Sequence, residues 1–93
     1  MPTMSEAEAL EMAQRALVFL SQDEELLGRF LALSGVGPAE IRGRIGDPAF
    51  LAGILDFLLA HEPSVIAFAE WAEIDPVLPG QARALLPGFQ HDA

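Results

Sequence analysis

Residues 16–38 read ALVFLSQDEELLGRFLALSGVGP, and residues 54–76 read ILDFLLAHEPSVIAFAEWAEIDP. Laid over each other at an offset of 38 positions, they match at Leu17/Leu55, Phe19/Phe57, Leu20/Leu58, Glu24/Glu62, Phe30/Phe68 and Pro38/Pro76. Leu27/Val65, Leu33/Trp71 and Val36/Ile74 are conservative pairs. Six identities in 23 pairs exceed the roughly two that chance gives in a chain rich in Leu and Ala. The match predicts two related helical units that bury their apolar faces against each other.

Proline and small polar residues mark where those helices begin. Gly37-Pro38, Asp47-Pro48, Glu62-Pro63 and Asp75-Pro76 each place a proline after a residue able to cap or turn. Proline suits a helix's first turn, where its missing N–H would have no partner anyway. Helix starts are therefore expected at 38, 48, 63 and 76. Ser5-Glu6-Ala7-Glu8 and Ser21-Gln22-Asp23-Glu24 have capping-box spacing and add two more starts. Apolar spacing then outlines six helices, at about 6–20, 23–33, 38–45, 48–60, 63–73 and 76–86.

The first helix presents Leu10, Ala13, Leu17 and Leu20 inward, with Glu11 and Arg15 paired outside. The second presents Leu26, Leu27, Phe30, Leu31 and Leu33, with Glu25 and Arg29 paired outside, and stops at a left-handed Gly35. The third turns Ile41 and Ile45 inward. The fourth is apolar almost all round, which predicts burial on several sides and a central place. The fifth presents Val65, Phe68, Ala69 and Ala72, with Trp71 beside them as core knob or as centre of a binding patch. No stretch alternates long enough for a strand. The expected fold is all-α: a compact orthogonal bundle of five to six short helices in one domain spanning 1–93. Its halves, 6–45 and 48–86, form two three-helix repeats around a central apolar helix, and 87–93 is a frayed tail.

Composition narrows the functional classes. The chain has 93 residues, no cysteine and a net charge of −9, from 14 acidic and five basic residues. Disulfide frameworks and thiolate metal sites are thereby excluded. All five basic residues are Arg, so Schiff-base chemistry on lysine and a lysine-bearing phosphate loop are excluded too. The acidic balance repels nucleic acids and anionic membranes. The longest mostly apolar stretch, Ala49–Ala60, falls short of the ~20 residues of a membrane span. The start of the chain lacks a basic residue before an apolar run, so no secretory signal is read there. A cytoplasmic location is expected. With 52% hydrophobic residues in so short a chain, apolar surface should remain after the core is filled. A protein partner is expected on that ground, with a homodimer as the first form.

Leu33-Ser34-Gly35-Val36-Gly37-Pro38-Ala39 resembles the turn of a helix-hairpin-helix, whose Gly-hydrophobic-Gly loop offers backbone N–H groups to a phosphate. Gly35 and Gly37 would be the contacts, with charge from Arg42 and Arg44. Ile41 departs from the small residue that family carries there. The matching corner of the second half, Glu73-Ile74-Asp75-Pro76, holds two carboxylates. Nucleic-acid binding is therefore the alternative reading, and a capped corner between helices the leading one.

No catalytic, metal-binding or cofactor-binding constellation is found. His61 reads as a residue at the C-terminal end of the fourth helix, suited to the dipole, and no His-x-x-x-His or Glu-x-x-His spacing exists. Asp56 is either exposed or paired with Arg29, Arg42 or Arg44. Ser21, Ser34 and Ser64 stand at helix boundaries as caps.

Residues 29–42 (RFLALSGVGPAEIR) together with 50–59 (FLAGILDFLL) resemble an uncharacterised bacterial family of small all-helical proteins, a domain of unknown function. The resemblance spans about Ala9 to Leu86. It implies a small bacterial cytoplasmic protein and supplies no activity, cofactor or site residue. The expected role is a non-catalytic adaptor or scaffold, with Phe68, Trp71 and Phe89 as the candidate interface. A small-ligand pocket beside the fourth helix is a further alternative.

Overall fold

Six helices, and no strand among the described residues, form the structure, a computed structural model that describes residues 4–87. They are α1 (Glu6–Ser21), α2 (Glu24–Ser34), α3 (Ile41–Arg44), α4 (Pro48–Leu59), α5 (Glu62–Ala72) and α6 (Leu78–Ala84), with a 3-10 turn at Pro38–Glu40 before α3. The molecule measures 39 × 26 × 26 Å.

Side-chain caps mark the starts of α1, α2 and α4. Ser5 Oγ accepts from the Glu8 N–H at 3.1 Å, and the Glu8 carboxylate accepts from the Ser5 N–H at 2.8 Å, the reciprocal pair expected at the start of α1. The second capping box does not form. α1 runs on through Ser21, whose hydroxyl donates to the Val18 carbonyl at 2.6 Å. Asp23 takes over as cap of α2 and accepts from the N–H groups of Glu25 and Leu26. Asp47 caps α4 through the Ala49 N–H, and Asp75 accepts from the Val77 N–H ahead of α6. That contact makes Pro76-Val77 a turn, so α6 starts two residues later than the proline predicts.

The core is built on α1 and α4 together. Each packs on the other and on α2, α5 and α6. Ile54, Leu55 and Leu58 of α4 have no exposed surface, as the central place of that helix requires. α1 shares the centre because its inward face is small: Ala9, Ala13 and Ala16 are fully buried beside Leu20. Small side chains let neighbouring helices come close. α4 and α5 turn through 112° at their junction, giving the orthogonal arrangement.

Two inward assignments fail. Leu33 is 77% exposed and Ile45 is 38% exposed. Both lie near the ends of short elements, past the neighbours that cover Phe30 and Ile41. The surface pairs also differ. Glu11 does not meet Arg15, whose Nη2 donates instead to the Ala72 carbonyl at 3.1 Å and ties α1 to the end of α5.

α2 and α5 correspond closely. Each has 11 residues, and their ends are separated by the same 38 positions as the sequence match. Their N-caps, Asp23 (φ −130, ψ 104) and His61 (φ −140, ψ 99), share one extended conformation. Their C-caps, Gly35 (φ 74) and Glu73 (φ 61), are both left-handed and are the positive-φ residues among the described ones. Aromatic rings cross between the halves: Phe19 meets Phe68, and Phe57 meets Phe30, each with ring centroids 5.6 Å apart.

Candidate functional site

A groove of about 490 Å³ lies between α2 and α4. Phe30, Phe50 and Phe57 supply aromatic wall. Phe30 lies edge-on to both others, at 5.8 Å from Phe50 and 5.6 Å from Phe57. Leu33 and Ser34 form the lip on the α2 side, while Gly53 and Ala60 lie on the α4 side. A Cβ built at Gly53 meets nothing within 4 Å, so the groove has room for a side chain there. Asp47, Asp56 and Arg44 give it a charged rim with two carboxylates and one guanidinium. A smaller recess of about 140 Å³ shares Leu33, Phe57 and Ala60 and continues toward Arg29, His61 and Ser64.

Asp56 is held at this rim by a partner outside the three that the sequence suggests. Arg83 Nε donates to Asp56 Oδ1 at 2.6 Å, in place of Arg29, Arg42 or Arg44. Arg83 is buried, and its Nη1 also donates to the carbonyls of Leu86 and Pro87. One guanidinium thus fastens α4, α6 and the following turn. The pair lies 27 positions apart in sequence, so only the packing of α6 on α4 brings it together.

The amides of the Gly35–Pro38 corner have partners within the chain. The Val36 N–H donates to Ser34 Oγ at 3.2 Å, and the Gly37 N–H donates to the Glu40 carboxylate at 2.7 Å. The amides that a helix-hairpin-helix would present are engaged, one of them by a negative charge. Arg42 and Arg44 are exposed, and Arg44 faces the groove rather than the corner.

His61 is the N-cap residue of α5, not the end of α4, which closes at Ala60. Its Nδ1 lies 2.8 Å from Ser64 Oγ. A nucleophile activated by a base needs access and a third group that orients the base. Ser64 is buried, and no acid is hydrogen-bonded to the His61 ring among the described residues. The contact joins the first turn of α5 to its cap. No group of three His, Asp or Glu side chains among the described residues could hold a metal ion.

Of the residues expected at an interface, Phe68 is fully buried and lies beneath the surface. Trp71 is 40% exposed, with its ring 5.6 Å from Phe19 and 6.1 Å from Phe68. Trp71 is thus both a lid on the core and part of the surface. Phe89 lies outside the described residues. Sequence reasoning missed Gly53, Phe57 and Leu33 as groove residues. The 38-residue offset places Gly53 opposite Arg15 and Leu33 opposite Trp71, and the smaller residue of each pair lines the groove.

No single helix among the described residues is long and apolar enough to cross a membrane. No curated protein and no solved structure matches the chain significantly. A family model described as "Protein of unknown function (DUF3572)" matches residues 6–89 and so covers nearly all the helical bundle. The chain belongs to the DUF3572 family, a family of proteins whose function is unknown.

Proposed function

We propose that this chain is a non-catalytic protein-interaction domain and that the α2–α4 groove receives a segment of its partner. The observation that carries this reading is a ring-lined groove with its lip in solvent: Leu33 is 77% exposed beside Phe30 and Phe57. Burying such a leucine contributes about 1.5–3 kcal/mol, a strong incentive for a partner to cover it. The groove volume of about 490 Å³ suits a few side chains. Its open side favours an extended or helical segment over an enclosed small molecule.

The test is selection of peptides from a displayed random library on the immobilised chain, followed by amide chemical-shift mapping on isotope-labelled protein. The reading predicts that selected peptides shift the amides of Leu33, Gly53 and Phe57. Peptides that map to the Ile66 side of α5, or no enrichment at all, would contradict it.

A further inference from the structure

On the reading of the α2–α4 groove as a recognition site, on which this proposal rests, we infer that the groove is the unfilled counterpart of a site that the chain closes with its own Trp71 and Arg15. It takes a protein segment presenting an aromatic ring beside a guanidinium.

The correspondence of α2 with α5, in length, in both caps and in the crossing ring pairs, puts residues 38 positions apart in matching places. Beside α5, the Trp71 ring lies against Phe19 and Phe68. Arg15 reaches from α1 and donates to the carbonyl of Ala72, the last residue of α5. Beside α2, the matching ring pair is Phe57 with Phe30, and the last residue is Ser34. The two filling side chains are missing. Leu33 stands where the indole would be rooted and is largely in solvent, and Gly53 stands where the guanidinium would be rooted. Beside α2, the positions that match Trp71 and Arg15 carry smaller residues, Leu33 and Gly53, and both line the groove.

The filled half defines the chemistry of the occupant. An aromatic ring completes the cluster of Phe30 and Phe57, and aromatic pairs favour such edge and offset contacts. A guanidinium finds the Ser34 carbonyl, one of the last carbonyls of a helix, which have no partner within it. Arg44 and the Arg83 bound to Asp56 balance the two rim carboxylates, so the pull on a basic segment comes from the net charge of −9, acting from a distance.

The experiment compares peptides selected on the wild-type chain with their binding to L33W/G53R, which transplants the two filling residues. Circular dichroism and thermal melting establish that the variant is folded. L33W alone serves as second variant, since position 33 is exposed and the substitution leaves the core intact. The expected result is enrichment of peptides carrying Trp or Phe with Arg, bound at least tenfold more weakly by L33W/G53R and by L33W. Replacing the peptide's ring or its Arg by Ala should each weaken binding about tenfold. Peptides that lose affinity for the filled groove but carry no ring and cation would overturn this occupant while leaving the groove as a recognition site. Peptides unaffected by filling the groove, or none at all, would overturn both.

Discussion

Phe68 and Trp71 stand three residues apart on one helix and share a ring cluster, yet their substitutions should differ sharply. Phe68 is fully buried, so Phe68→Ala should cost about 3–5 kcal/mol through lost burial and a cavity. Trp71 keeps 40% of its surface in water, and Trp71→Ala should cost less than half as much, as measured by urea unfolding. Equal losses would show that both are core residues. Asp56→Ala leaves the buried Arg83 without its carboxylate and should cost about 1–3 kcal/mol. For a domain of this size that lowers the melting temperature by roughly 4–8 °C per kcal/mol, and Asp56→Asn, which keeps an acceptor, should lose less. The central place of α4 was legible in the sequence, because a helix apolar almost all round must be covered on several sides, and its Ile54, Leu55 and Leu58 are fully buried. The Arg83–Asp56 pair was not, since its partners lie on helices whose register only tertiary packing sets.

α1, α2 and α4 begin where a side-chain oxygen reaches free N–H groups, and that rule decides between neighbouring candidates for α2. Asp23, not Ser21, caps α2, so Asp23→Ala should cost about 1 kcal/mol while Ser21→Ala changes stability far less. Both candidates are visible in the sequence. Choosing between them needs the length of α1, which runs through Ser21 and leaves Asp23 to cap α2. At the other end, α2 and α5 stop in the same left-handed conformation with different residues, Gly35 and Glu73. A side chain in that conformation carries strain of about 1–2 kcal/mol. Glu73→Gly should therefore raise stability by up to about 1 kcal/mol, the gain being reduced by glycine's larger entropy in the unfolded chain. A thermal melt of Glu73→Gly no higher than that of the wild type would show that Glu73 is not strained. Spacing places Leu33 and Ile45 inward, yet both are exposed. Spacing marks which face of a helix is apolar, but not how far its neighbours extend along it.

At the scale of the whole molecule, α2 and α5 match in length and caps, but what lies beside them differs. Trp71 and Arg15 lie at the end of α5, and a groove over Phe30 and Phe57 lies beside α2. The helical fold, its six elements and the offset of 38 positions can all be read from composition, caps and spacing. The groove cannot, because a vacancy has no residue of its own and shows only when one half is set against the other in three dimensions. Filling it from within should add aromatic and dispersion contacts worth about 0.5–1.5 kcal/mol. The crystal structure of L33W/G53R is the direct measurement. It should show the introduced indole against the rings of Phe30 and Phe57, and the introduced guanidinium within hydrogen-bond distance of the Ser34 carbonyl. An indole and a guanidinium both turned out to solvent, above a groove still open, would contradict the correspondence of the two halves.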